Sequence, residues 1–244
     1  MRIFAISDTH LSFGMNIDKP MDVFGGSWLG YEDRLRKNWK SVVEPEDLVL
    51  VPGDISWALH LEDALSDLAW IDALPGKKLL VRGNHDLWWA SMAKMRGLFP
   101  TILFLQNDSY YDPEHGFGVI GSRGWICPDD PEFSADDRKI YDRELLRLGL
   151  SSEDLRKKMQ AEPSRSEKDF LLLAMTHYPP TSSAKAPTGF TDMYESLAVS
   201  KAVYGHLHSA KAFDNGPRGI VNGTEYMLVS ADYLDFTLQL VASR

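Results

Sequence analysis

The chain has 244 residues, with 26 Lys and Arg against 35 Asp and Glu, a formal charge of -9. At 44% hydrophobic and 25% charged, this is a globular composition with enough chain for a sizeable core, which excludes a disordered polypeptide. The acidic balance argues against a nucleic-acid coat protein, although an acidic chain can still bind phosphate when metal ions supply the positive charge.

In chain order, strands are predicted at Arg2–Ile6, Leu48–Val51, Lys78–Val81, Ile102–Phe104, Val119–Ile120, Phe170–Met175, Lys201–Tyr204 and Glu225–Ser230. They are short runs rich in Val, Ile, Leu and Phe, and Gly, Pro or Asp punctuates many of their ends. Helices are predicted between them. One runs near Tyr31–Val43 and one near Trp88–Leu98. A third carries Leu61, Ala64, Leu65, Leu68 and Ile71 at helical spacing and stops at Pro75-Gly76. The segment 112–168 is more polar, and it holds two predicted helices, Ala135–Leu148 and Ser152–Gln160, with Ser151 or Ser152 capping the second. It reads as a helical insertion, and its position predicts that part of it leans over the functional edge. Alternating strands and helices make an α/β protein, and 1–244 reads as one domain.

The single cysteine, Cys127, excludes an internal disulfide framework, fits a reducing compartment and reads as structural. No apolar run reaches the roughly 20 residues of a membrane helix. A strand and a candidate metal motif follow the first residue at once, so no signal peptide is expected and the cytoplasm is the expected location.

Five predicted strands end in chemistry. Arg2–Ile6 leads to Asp8 and His10, and Leu48–Val51 leads to Gly53-Asp54. Lys78–Val81 leads to Gly83-Asn84-His85-Asp86, Phe170–Met175 to His177, and Lys201–Tyr204 to Gly205-His206-Leu207-His208. Ligands gather at the carboxyl ends of strands in open α/β sheets. Imidazole with carboxylate suits Zn, Mn, Fe, Co or Ni and is too nitrogen-rich for Mg or Ca. The donors outnumber what one tetrahedral ion uses, so two divalent ions sharing a carboxylate are expected.

These five blocks, in this order, resemble the calcineurin-like metallophosphoesterases, and they span residues 8 to 208. The resemblance implies a four-layer α-β-β-α sandwich with a dimetal site at one edge of two packed sheets. It implies that Asp8, His10, Asp54 and His208 hold one ion, that Asp54 bridges, and that Asn84, His177 and His206 complete the second. It sets His85 beside the substrate and not on a metal; protonated, His85 would give a proton to the leaving oxygen, with Asp86 the candidate to orient it. The implied activity is hydrolysis of a small-molecule phosphomonoester or phosphodiester by hydroxide generated between the ions. The protein phosphatase branch carries an Asp where Trp57 stands, and an Arg that this chain lacks, which counts against protein dephosphorylation. The Asn-His-Asp and Gly-His-Leu-His forms are more similar to the small phosphodiesterase branch. The lipid-A-pathway pyrophosphatase branch usually carries Arg at the position of His85.

Other residues have plainer readings. His60 reads as a helix-start residue and His115 as a loop residue. Trp88 or Trp89 is expected in the core. Arg123, between glycines in Gly121-Ser122-Arg123-Gly124, is a candidate phosphate contact or a structural ion pair. A nuclease of the same family is the rival enzyme, against which the acidic charge counts. A non-catalytic scaffold is the other rival, and scaffolds typically lose ligands that this chain keeps. No sequence feature sets the oligomeric state.

Overall fold

The computed structural model describes residues 1–19, 21–182 and 184–244. Two sheets form the centre. In the first, β1 (Arg2–Ala5), β2 (Leu48–Pro52), β3 (Lys77–Val81) and β4 (Ile102–Phe104) run parallel, and β11 (Gln239–Ser243) closes one edge antiparallel to β1. In the second, β6 (Phe117–Ser122), β7 (Leu171–Thr176), β8 (Lys201–Tyr204) and β10 (Thr224–Leu228) run parallel. Antiparallel edge strands β5 (Tyr110–Asp112) and β9 (Gly219–Val221) flank them. The longer helices are α1 (Tyr31–Val42), α2 (Leu61–Asp72), α4 (Ala135–Ala161) and α5 (Gly189–Ser196); α3 (Met92–Met95) and α6 (Ala210–Phe213) are single turns.

Strand alternation sorts the apolar side chains into three cores. Ile3, Ala5, Leu48, Leu50 and Leu79 face Phe117, Val119, Leu173, Met175 and Val203 between the sheets. The opposite positions of the first sheet, Phe4, Val49, Val51 and Leu80, meet Leu35 and Trp39 of α1 and Leu68 and Ile71 of α2. Ile120, Ala174, Ala202 and Leu228 of the second sheet meet Tyr141, Leu148 and Leu155 of α4 and Phe190 and Tyr194 of α5. The order is therefore α-β-β-α. Strands buried on both faces explain why the runs are continuously apolar and not alternating. Each fully buried Leu, Val or Ile contributes about 1.5–3 kcal/mol.

Residues 112–168 are no appendage. They contain β6, an interior strand of the second sheet, and α4, the layer that covers it. The two helices expected there are one helix of 27 residues, capped by a Ser134–Asp137 capping box. Ser151 lies inside it, where its Oγ donates to the Asp108 carbonyl (2.5 Å) and accepts from Gly121 N (3.1 Å). Tyr141, Glu144, Leu148, Ser151 and Leu155 are its buried residues. That stripe alternates spacings of three and four, and two of its five members are polar, which hides its length from a hydrophobicity reading. The helix expected at 88–98 shrinks to α3, because Trp88 and Trp89 point into the core. His60 is the N-cap residue of α2, and His115 sits in the turn after β5 on Asp112 (3.1 Å). Cys127 is buried and unpaired, with burial pushing its thiol up to about 12. No helix among the described residues is long and apolar enough to cross a membrane.

Candidate metal centre

At their carboxyl ends the two sheets are stitched together by Ser7, whose N–H donates to Val229 O (2.8 Å) and whose carbonyl accepts from Ala231 N (3.0 Å). Beyond that stitch the first two loops run side by side, with Asp8 N on Gly53 O (3.0 Å) and His10 N on Asp54 O (3.0 Å). Both loops turn sharply. Asp8, His10, Asp54 and His206 hold left-handed backbone, with φ of 58°, 45°, 52° and 71°. Such conformations cost free energy in non-glycine residues and persist where the surroundings fix them, commonly at functional sites. Two glycines are required by space: a Cβ on Gly83 would overlap the Asp54 carboxylate, and one on Gly205 would overlap Ser7 and Asp8.

The side chains converge in two groups. In the first, His10 Nε2 lies 3.3 Å from His208 Nε2, His208 Nε2 lies 3.4 Å from Asp8 Oδ1, and His10 Nε2 lies 3.9 Å from Asp54 Oδ2. In the second, Asn84 Oδ1 lies 2.7 Å from His177 Nε2 and 3.0 Å from His206 Nδ1, and His177 Nε2 lies 3.4 Å from Asp54 Oδ2. Asp54 Oδ2 belongs to both groups, while its Oδ1 accepts the His85 N–H at 2.8 Å.

In the second group, the His177 tautomer leaves a lone pair facing its neighbours. His177 Nδ1 donates to the Pro52 carbonyl (3.0 Å), and burial pulls its pKa down to about 4, so Nε2 carries no proton near neutrality. That bare nitrogen faces an amide oxygen. Burial pulls His206 down to about 3 and holds His10 low as well. His208 goes the other way: against burial, hydrogen bonds to Asp232 (3.0 Å from Nδ1) and Asp8 raise it to about 10. Burial raises the Asp54 carboxyl, helped by the charges of Asp86 and Asp8. Asp8 sits low in spite of its burial, because His208 hydrogen-bonds to it. Acceptors facing acceptors repel unless a cation lies between them. Bonds of about 2.1 Å from one ion place adjacent donors roughly 3.0–3.4 Å apart, and the separations above, 2.7–3.9 Å, bracket that range. The donor set therefore fits divalent metal.

The chain matches the calcineurin-like phosphoesterase family model over residues 1–210. It belongs to that family. The family is one of metal-dependent hydrolases, and the two packed sheets are its α/β sandwich. A crystal structure of a protein of unknown function, AQ665 from Aquifex aeolicus, is similar at TM-score 0.51 and 19% identity, covering 98% of this chain and 95% of that one. The phosphopantetheinyl hydrolase of Mycobacterium tuberculosis aligns at TM-score 0.49 and 15% identity, over 100% of this chain and 96% of that one. The Gene 66 protein of Mycobacterium phage L5 is 41% identical over 56 residues, a stretch that spans 23% of this chain and 27% of that relative.

Within this family member all seven candidate ligands come together, and His85 stands beside them, its ring 5.8 Å from that of His10. Asp86 does not orient His85. Its carboxylate accepts five hydrogen bonds, from the N–H groups of Asp54, Ile55, Ser56 and Gly83 and from the Trp88 indole, at 2.7–3.2 Å. Both oxygens are thereby committed to holding the second and third loops in register. Arg123 is the structural case: its guanidinium lies 3.6 Å from buried Glu144 of α4 and 4.4 Å over the Trp125 ring. Its backbone carbonyl takes the His177 and Tyr178 N–H groups (3.0 Å each).

Three contributors escaped the sequence reading. Asp232 orients His208, and its only sequence signal was an Asp in the turn after a strand. Tyr178, next to His177, packs on the His206 ring at 4.0 Å. Trp57, noted only for what it replaces, stacks on His10 at 4.7 Å and lies 4.4 Å from His85.

Proposed function

We propose that the protein is a hydrolase of small-molecule phosphoric esters that works with two divalent metal ions. Asp8, His10, Asp54 and His208 would hold one ion, and Asp54, Asn84, His177 and His206 the other. The observation that carries this reading is the convergence of seven ligand-type side chains into two groups that share Asp54 Oδ2. Bound there, such ions supply a nucleophile from water at neutral pH and neutralise the phosphoryl oxygens.

The chain's own residues do the remainder. His85 lines the cavity beside the first group with its ring partly buried, and burial lowers its pKa. A phosphate anion arriving at its side favours the protonated ring, which then gives its proton to the departing alkoxide. The Pro52 carbonyl and the Asp232 carboxylate hold the His177 and His208 rings in the ligating tautomer. The retention of every donor speaks against a scaffold. No Lys or Arg lines this cavity among the described residues, which speaks against a nuclease.

The test is an assay of the purified protein loaded in turn with Mn, Fe, Zn, Co or Ni, on nitrophenyl phosphate and bis-nitrophenyl phosphate. Metal-dependent release of nitrophenol that a chelator abolishes is expected. Silence with every metal on both esters would overturn the reading.

A further inference from the structure

A cavity of about 450 Å³ opens against the first group of donors. His10, His85 and His208 form its floor, and its walls include Trp57, Trp28 and Met21. The Trp57 indole N–H points at the Met21 sulfur (3.0 Å), and the Trp28 ring lies 6.1 Å from the rings of both His10 and His208. Trp28 is itself fixed by edge contacts to Tyr31 (5.0 Å) and Phe236 (5.1 Å). The aromatic wall is therefore packed against its own neighbours.

The one charged carboxylate on the lining, Asp232, is taken by His208. The ammonium group of exposed Lys19 lies over the Trp57 ring, 5.6 Å from its centroid, outside the lining. Lys19 is a cation close by, and its charge reaches His85. An uncharged ring would meet two indoles and a thioether, surfaces that favour aromatic partners beyond simple area burial.

We propose that this cavity receives the alcohol side of the ester, and that the group it selects is an aromatic ring, with Trp57 as the residue that decides specificity. The inference rests on the phosphoesterase reading for one point: the group beside His85 is the one that leaves. Trp57 is placed for this role because it touches both His85, at the leaving oxygen, and His10, at the donor cluster.

The experiment measures binding, which does not require turnover. Benzylphosphonate and cyclohexylmethylphosphonate have the same anionic head and nearly the same size, and differ in the aromaticity of the ring. Calorimetric titration of the full-length, Mn-loaded protein should give benzylphosphonate an affinity about 2- to 10-fold higher. In W57L, which keeps apolar bulk without an indole, the ratio should fall to about one, and in W57F it should be largely retained. Equal affinities in the wild type, failure of both phosphonates to bind, or a ratio untouched by W57L would each overturn the proposal. The wild-type comparison decides even when W57L does not fold. Loss of the hydrolase reading looks different: no ester turns over, yet the preference for the benzyl ligand persists.

Discussion

In the first sheet, one carboxylate disciplines a whole stretch of backbone. Asp86 gathers N–H groups from the loop after β2 and the loop after β3, so Asp54 and Asn84 cannot move independently. In the second sheet, each histidine has its own orienting partner. Pro52 O serves His177, Asp232 serves His208, and Tyr178 packs on His206. The first arrangement is cooperative and the second is modular. A buried hub leaves several donors unsatisfied when it is removed, whereas a single orienting bond frees one ring.

The strongest way to break this comparison is at the point where the halves meet. Asp54→Ala removes the one oxygen common to both groups, and is expected to abolish turnover together with metal content, read by elemental analysis. Full activity in that variant would sink the two-ion assignment. Asp86→Ala should act through the fold: five donors lose their acceptor, and a loss of about 4 kcal/mol or more is expected. For a chain of this size that is a fall in Tm of roughly 10 °C, measured on the metal-free protein. A variant with wild-type Tm would show that Asp86 is no hub.

His85→Asn should spare the fold and both ions while removing the proton donor. On an alkyl ester the loss is expected to reach ~10²–10⁴-fold, and on a nitrophenyl ester, whose alcohol leaves without help, far less. An unchanged dependence of rate on leaving-group acidity would remove the acid role. Asp232→Asn tests the modular side. Metal affinity or activity should fall roughly 10–100-fold, while the unfolding free energy of the metal-free protein stays within about 1 kcal/mol of wild type.

The mildest effect belongs to Asp67 of α2, which ties the first two loops together through Phe13 N (2.7 Å) and Ser56 Oγ. Burial raises its pKa to about 6 from 3.8. The native state then holds a proton that the unfolded chain has released, so this stabilisation is complete below about pH 4 and is lost as pH rises through about 6. The expected slope is at most about 1.4 kcal/mol per pH unit, and Asp67→Asn should flatten it in urea titrations across that window.

Much of this site was legible from local pattern. Eight predicted strands correspond to β1, β2, β3, β4, β6, β7, β8 and β10, because strands buried on both faces leave dense apolar runs. The five ligand blocks stand where those strands end. The edge strands β5, β9 and β11 escaped, since none has more than one buried residue, whereas the edge strand β4 was legible because Ile102 and Phe104 are buried. The continuous α4 was hidden by Glu144 and Ser151 on its buried face, polar residues made tolerable by Arg147 (3.0 Å from Glu144) and by the backbone around Asp108.

Residue types and spacing by themselves determined the alternating elements, the identity of the donors and the strand end at which each appears, because these are set by neighbours a few positions apart. The partners of each donor were decided only by the tertiary structure. His177 takes its tautomer from a carbonyl 125 positions away, and His10 meets a histidine 198 positions on. The same holds for Asp86, placed beside His85 in the sequence and turned by the fold toward the backbone of another loop. A side chain's role follows from the groups within about 3 Å of it, and for these residues those groups are brought together only when distant strands pair and the two sheets pack.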